Sequence, residues 1–476
     1  MNKFKLFIEN FIVYGFGGII SKIIPLIMVP IVTRIMPSTD YFGISDLSNT
    51  VVNFGSALAV MGMYDAMYRM FFEKKEEEYR KTICSTALGF TMFTSVVVFV
   101  VMLAGRKYIA QYFFSDKEYS YVVYLSAIAT LIGATNSIVS APTRMQNKRK
   151  IFLITNTISP IISYAISISL LLRGYYVIAL PLAAVISGAV IEIVFAILNR
   201  QWFTLKLFDK KLMGQLLIIA IPLLPNFLIY WIFNSCDKVM ITNMIGVGAA
   251  GIYSVGSKLG GCSQLIYTAF AGGWQFFAFS TMKEERQVEN NSLIFEYLGI
   301  ISFIAASFIC AWSYWIFELL FTEQYLSGYI VAPYLFLAPL LQMLFQVAGN
   351  QFLVVKKTWP NMLILSAGAL LNIAINYTLI PILGIEGASI ATLAGYVISD
   401  IVCVMVLCKM KLMVISRRFI LAALIMTVFT LLWRLLFTNN IIVGTAMAML
   451  VTVMYILIYK SDLIEFIRML RRRTEV

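Results

Sequence analysis

Long apolar runs follow one another along almost the whole chain, and they constrain its fold more than any other feature. Each run is roughly 20 residues long, the length that a helix needs to cross the hydrocarbon core of a bilayer. By length and periodicity we count about fourteen of them. They cover residues 11–32, 42–64, 83–104, 120–141, 152–172, 176–197, 214–235, 249–270, 293–314, 329–354, 362–383, 387–408, 418–437 and 440–459.

Composition points to the same class of protein. The chain is 60% hydrophobic and 13% charged. A soluble protein could not bury that much apolar surface. The sequence therefore predicts an all-α integral membrane protein with about 14 transmembrane helices.

The charged residues indicate the topology. The chain has 37 Lys and Arg against 24 Asp and Glu, a formal net charge of +13. When the runs are threaded alternately through a membrane, most basic residues fall in the loops on one side, which the positive-inside rule assigns to the cytoplasm. Both termini are then cytoplasmic, and we expect no nucleic-acid partner. Residues 461–476 are apolar on one face and end in arginines, which predicts an amphipathic tail on the inner leaflet.

The chain also repeats itself. The first and seventh runs each contain two prolines, and each is followed by a short outer loop and a helix that opens with Gly-Ile, at Gly43 and Gly251. Six helices separate the two copies, so the repeats are parallel and related by an axis along the membrane normal. The predicted organisation is a first lobe over 1–200 and a second over 201–412, followed by two additional spans over 413–460.

Two lysines lie deep within predicted helices. Lys22 is about 16 Å from the inner end of its run, and Lys258 is about 14 Å from the outer end of its run. A charge near the midplane costs about 2.5–3.5 kcal/mol on insertion scales, so it usually has a function. Two ammonium groups facing one cavity would attract a multivalent anion, for which a diphosphate is the natural candidate. The alternative is that each lysine is structural and pairs with a buried acid such as Asp46 or Asp400.

Other charged residues extend this set. Arg69, just past the inner end of the second run, is a candidate for the anionic head group at the cytoplasmic mouth, and Arg34 is a further candidate at the outer end of the first run. Asp46, Asp237 and Asp400 are candidates for coupling transport to a proton or a sodium ion. The alternative for the arginines is that each is a loop-end residue with no further role, Arg69 as part of the positive-inside pattern. The alternative for the acids is that they only neutralise neighbouring lysines.

Several functional classes do not fit the residues. The chain has no histidine, and its six cysteines lack paired spacing, so we expect no metal site, no disulfide framework and no cofactor. A membrane glycan polymerase or ligase would want a histidine base, a metal or a large outer loop. A drug or cation exporter would line its cavity with acids and aromatics, whereas here lysines lie near the midplane. We therefore expect a transporter of anionic cargo and no enzyme.

Three stretches carry a family resemblance: Thr33 to Ser45, Asp237 to Ser254, and Leu371 to Thr392. In order and spacing they resemble the polysaccharide transporters, the O-antigen and capsule repeat-unit flippases, of the multidrug/oligosaccharidyl-lipid/polysaccharide (MOP) superfamily. The resemblance implies two pseudo-symmetric six-helix lobes around a central cavity, working by alternating access. It also implies a bacterial cytoplasmic membrane protein that moves undecaprenyl-diphosphate-linked oligosaccharide from the inner to the outer leaflet.

The same resemblance suggests partners and leaves one alternative open. The partners are the lipid-linked oligosaccharide, membrane lipids, and the polysaccharide polymerase and chain-length machinery; we expect a monomer. In the related peptidoglycan-precursor flippases, basic residues that face the cavity lie on the first and eighth helices. This chain has Lys22 and Lys258 there, where that branch tends to have arginines, so a repeat-unit flippase is favoured over a peptidoglycan-precursor flippase.

Overall fold

The computed structural model describes residues 23–268, 270, 274, 285–355, 357 and 359–464, and this part of the chain is helical without strands. The helices are α1 (Ile23–Ile35), α2 (Thr39–Val60), α3 (Met63–Phe71), α4 (Glu77–Ala104), α5 (Arg106–Phe114), α6 (Ser120–Met145), α7 (Arg149–Leu171), α8 (Ala179–Asn199), α9 (Lys210–Ala220), α10 (Leu224–Trp231), α11 (Asp237–Met244), α12 (Val247–Gly260), α13 (Gln287–Leu320), α14 (Val331–Val354), α15 (Trp359–Leu383), α16 (Ile385–Lys409), α17 (Arg417–Leu432) and α18 (Ile441–Ile458).

The predicted fold class is confirmed. In the described residues, 11 helices are long and apolar enough to cross a membrane, and each overlaps one of the predicted runs. Of the other three runs, 42–64 covers most of α2, the bend that ends it and the start of α3, while 11–32 and 249–270 extend into residues outside the described part. The count of about fourteen spans therefore stays a prediction.

Helix α2 ends at a sharp bend that the sequence supports. Met61 and Gly62 have φ angles of 48° and 75°, the left-handed region that favours glycine. A Cβ atom on Gly62 would also lie 2.7 Å from the carbonyl oxygen of Ala220. Glycine at this position therefore lets the chain turn into α3 while it packs directly on the end of α9.

The seventh span is continuous but irregular. It runs over Lys210–Met244 and contains a 3-10 turn at Ile221–Leu223 and a π-helical segment at Ile232–Cys236. The 3-10 turn contains Pro222, which cannot donate a helical hydrogen bond. The π segment ends immediately before Asp237, and such segments are frequent at functional sites.

The chain forms two compact units, of which the first comprises Met1–Val255 with Ile373–Ala388. Within this unit, α6 packs against α2, α4 and α8, and α8 packs against α7. At one end of the unit, the buried methionines of α3, Met63, Met67 and Met70, join an apolar cluster with Trp202 and Leu216. This cluster fixes the short helix α3 at the end of the second span.

The second unit comprises Gly256–Asn372 with Ser389–Val476. Its long helix α13 packs against α14, α17 and α18. Buried Glu296 on α13 accepts hydrogen bonds from the backbone N and Oγ of Ser416, both at 2.7 Å, and from the Tyr459 hydroxyl at 3.0 Å. One carboxylate thus holds both C-terminal spans against α13.

The two compact units do not test the predicted division into lobes and additional spans, which stays a prediction. The predicted amphipathic tail lies outside the described residues from position 465 onward.

Candidate functional site

The two predicted midplane lysines have different outcomes. Lys22 lies outside the described residues. Lys258 lies about three turns into α12, and its side chain is exposed. On the opposite side of the helix, a Cβ atom on Gly256 would lie 2.6 Å from the oxygen of Gly328, and one on Gly260 would lie 2.9 Å from that of Ala332. The small face therefore packs against residues of the second unit, on the side of the helix opposite Lys258.

The two predicted arginines lie at opposite ends of α2. Arg34 is near the end of α1, before α2 begins, and Arg69 is in the last turn of α3; both side chains are exposed. Helix α2 has 22 residues and is therefore about 33 Å long. Arg34 and Arg69 cannot hold the same diphosphate group at one time.

Helices α2 and α12 cross at two glycines in their N-terminal halves, which the predicted topology places on the outer side of the membrane. A Cβ atom on Gly43 would lie 3.1 Å from the Gly251 nitrogen, and one on Gly251 would lie 3.0 Å from the Gly43 nitrogen. The Cβ atom on Gly43 would lie closer still to the carbonyl oxygen of Val247, and the one on Gly251 closer still to that of Thr39. Each of these carbonyl groups lies one turn before the glycine of its own helix. The two glycines that head the sequence repeats thus meet in a reciprocal backbone contact, which we call the outer crossing.

A buried ion pair lies one turn inward of the outer crossing. Lys238 Nζ donates to Asp46 Oδ2, and the side chains are 14% and 4% exposed respectively. The Ser254 hydroxyl donates to the same carboxylate oxygen at 2.8 Å. Asp46 and Ser254 each lie three residues after a crossing glycine, so the network joins equivalent positions of the two repeats.

A second carboxylate lies beside this pair. Asp237 is buried, and it accepts hydrogen bonds from the Tyr253 hydroxyl at 2.6 Å and from Asn376 Nδ2 at 2.7 Å. Further inward, Trp231 Nε1 donates to the Thr50 carbonyl at 3.3 Å. The seventh span is therefore joined to α2 by polar contacts on both sides of its π segment.

The third coupling candidate has a different environment. Asp400 on α16 is 7% exposed, and neither of its carboxylate oxygens has a hydrogen-bond partner within the described part of the chain. An ionised carboxylate without a partner is very costly in an apolar interior.

Lys238 is the residue that sequence reasoning missed. Hydropathy assigns it to an outer loop, whereas in the structure it is the partner of Asp46. The sequence repeat could have indicated the other part of this network, because aligning Gly43 with Gly251 also aligns Asp46 with Ser254. No group of three His, Cys, Asp or Glu side chains that could hold a metal ion is found among the residues described.

The described part of the chain is helical, with 11 helices long and apolar enough to cross a membrane, and its fold is that of transporters of the MOP superfamily. It is similar to the lipid II flippase MurJ in an inward closed conformation (TM-score 0.71, 15% identity, covering 95% of this chain and 100% of that one). It is also similar to an inward-facing multidrug resistance MATE family transporter of the MOP superfamily (0.63, 12%, 82% and 94%). A mutant of the Vibrio cholerae MATE transporter VcmN has the same fold (0.61, 13%, 85% and 96%).

The sequence itself identifies the family. The profile described as "Polysaccharide biosynthesis protein" matches residues 7–283, more than half of the chain. This chain therefore belongs to the polysaccharide biosynthesis protein family, and its assignment to the MOP superfamily is confirmed. Among curated proteins, none matches this chain in sequence.

Proposed function

We propose that this protein is a flippase that moves undecaprenyl-diphosphate-linked oligosaccharide repeat units from the inner to the outer leaflet of the bacterial cytoplasmic membrane. The family is one of polysaccharide biosynthesis and the fold is that of transporters, which together support a lipid-linked flippase or exporter. The nature of the cargo, a diphosphate carrying an O-antigen or capsule repeat unit, is the proposal.

The observation that carries it is the position of Lys258. Its exposed ammonium group lies about three turns from the N-terminal end of helix α12, and an ionisable side chain within a membrane helix usually has a function. A diphosphate is a multivalent anion, and lysine binds phosphate as a compact point charge. Lys22 is the proposed second cation, Arg69 the proposed first contact at the inner end and Arg34 the proposed last contact at the outer end.

Alternating access would use the outer crossing. Here the outer halves of α2 and α12 are in backbone contact, so cargo can leave outward between them only after the contact separates. That step would also break the pair of Asp46 with Lys238. Contacts with two discrete arrangements are suited to such switching. Asp46 would then act on the conformational change and not as an ion carrier.

Coupling to a proton would use Asp400. Its carboxyl has no hydrogen-bond partner in the described chain, so the group would hold a proton in this arrangement and lose it when water or a cation reaches it. Asp237 is the alternative carrier of a proton or a sodium ion; its carboxylate accepts hydrogen bonds from the Tyr253 hydroxyl and from Asn376 Nδ2, which would have to be released when the ion binds.

The testing experiment is complementation of flippase-null strains that differ in their glycan repeat unit. The wild-type gene should restore surface glycan in at least one strain. Lys258→Ala should reduce it at least tenfold at equal protein abundance, while Lys258→Arg, which keeps the charge, should retain most of it.

The outcomes also separate the rival functions. Rescue of a strain that lacks its peptidoglycan-precursor flippase, without rescue of any repeat-unit strain, would favour the peptidoglycan branch. Drug resistance without any glycan rescue would favour an exporter.

A further inference from the structure

A cavity lies in the first unit, between α2, α6 and α8, and none of the roles above uses it. Its lining is mostly apolar and includes three polar side chains. The cavity has a volume of about 150 Å³. Its described lining comprises Ser48, Asn49, Val52, Leu125, Ala129, Ile132, Gly133, Asn136, Pro181, Ala184 and Gly188. Asn49 lies 10 residues into α2, about 15 Å from its outer end, so the cavity is near the middle of the span.

Small residues keep this cavity open. Ala129 and Gly133 are one turn apart on α6, and Ala184 and Gly188 are one turn apart on α8. Helix packing does not require glycine at 133, since the nearest neighbour of a Cβ atom there would be Ser56 Oγ at 3.4 Å.

Gly55 provides the contrast within the same unit. A Cβ atom at Gly55 would lie 2.8 Å from Thr130 Cγ2, so glycine there serves the close approach of α2 and α6. Glycine at position 133 instead leaves a space that no described side chain fills.

The lining has the polar groups of a site for a neutral ligand. The Asn49 side chain is exposed, and the buried Oδ1 atom of Asn136 has no hydrogen-bond partner among the described residues. Carboxamides both donate and accept hydrogen bonds. The Ser48 hydroxyl, bonded to that of Ser126 at 2.8 Å, adds a third polar group.

Charge and size limit the ligand further. No charged side chain is in the described lining, and the nearest acid along α8, Glu192, instead accepts a hydrogen bond from Thr135. A cavity of roughly 150 Å³ holds one six-membered ring, as benzene in an apolar cavity shows. A ring that suits two carboxamides and a hydroxyl is polar and rich in hydroxyl or amide groups.

From these observations we infer that the cavity is a subsite for one sugar ring of the cargo, held by Asn49 and Asn136 in the space left by Gly133. The inference rests on the proposed function and adds where a sugar is recognised, apart from the lysines proposed to hold the diphosphate. It assigns glycan selectivity to the first unit.

The test measures binding by the full-length protein in nanodiscs. The probes are undecaprenyl diphosphate without sugar and undecaprenyl diphosphates bearing one glucose, one galactose or one N-acetylglucosamine. Wild type should bind at least one sugar-bearing lipid more tightly than the bare lipid. Gly133→Leu, which fills the cavity, should weaken binding of that lipid by about tenfold or more and leave the bare lipid unchanged.

Two further variants complete the test. Asn136→Leu should act in the same direction as the filling variant, because it removes the amide without closing the space. Gly214→Leu is the matched control, since a Cβ atom at Gly214 has no neighbour within 4 Å and the residue is outside the cavity; it should bind like wild type.

Three results would overturn the inference. Gly133→Leu could bind every lipid as wild type does, or lose bare and sugar-bearing lipids equally. Wild type could also bind the bare and sugar-bearing lipids equally, which would remove the sugar subsite but retain diphosphate capture. If wild type bound none of the lipids, the proposed function itself would fail.

Discussion

Replacing Lys238 by Met should weaken the outer crossing. The substitution keeps the approximate length of the side chain and removes the Lys238 ammonium group from the Asp46 carboxylate, which is 4% exposed. Removing one partner of a buried ion pair costs about 3–5 kcal/mol. Because Lys238 is 14% exposed and the serine contact remains, we take the lower end, about 3 kcal/mol. That corresponds to a shift of about 100-fold toward conformations in which α2 and α11 are apart and Asp46 reaches water.

Cysteine modification would measure this shift. Ala250 is 0% exposed and precedes the crossing glycine of α12, so Ala250→Cys should react slowly with a membrane-impermeant maleimide when the six native cysteines have been replaced. Lys238→Met should raise the reaction rate by up to about 100-fold. The double variant Asp46→Asn/Lys238→Met should react at close to the wild-type rate, because neutralising both partners removes the unpaired charge.

Protein abundance and folding serve as the controls in this experiment. A wild-type reaction rate in well-folded Lys238→Met, or a double variant that reacts as fast as the single one, would refute the reasoning.

Two other contacts yield predictions of the same kind. Gly251→Leu would push a side chain into the backbone of α2 and destabilise the contact by about 1–3 kcal/mol or more. It should therefore increase maleimide modification of Ala250→Cys. Unchanged reactivity would show that the two helices are not in close contact in the membrane. Glu296→Gln replaces an accepting carboxylate oxygen by an amide NH₂, which faces groups that also donate, and should lower the free energy of unfolding by about 1–3 kcal/mol. The measurements are a lower melting temperature and faster proteolysis between α16 and α17. Glu289→Gln, on the exposed face of the same helix, is its control, and equal melting temperatures for the two variants would contradict the anchoring role of Glu296.

The sequence was sufficient to predict the helices. Apolar runs of membrane length predicted the helices because the bilayer requires that backbone hydrogen bonds be satisfied within each span. The Gly-Ile match at Gly43 and Gly251 predicted equivalent helices in the two halves. Hydropathy measures length and composition, however, and does not say which helices meet.

The contacts between helices therefore needed coordinates. The pair of Asp46 with Lys238 joins residues 192 positions apart, and it depends on the crossing that the two glycines allow. The cavity beside Gly133 was likewise hidden, since a glycine within an apolar run has the same hydropathy whether it packs against a neighbour or leaves a space. Asp400 was identifiable as a membrane carboxyl, but its lack of hydrogen bonds in the described residues was not.

Flipping by purified protein in proteoliposomes tests the central claim most directly. The measurement is the rate at which undecaprenyl-diphosphate-linked oligosaccharide crosses the bilayer, compared for wild type, Lys258→Ala and Lys258→Arg. We expect rapid flipping by wild type and by Lys258→Arg, and at least a tenfold loss in Lys258→Ala. Flipping by Lys258→Ala at the wild-type rate would contradict the claim that a cation within the membrane captures the diphosphate.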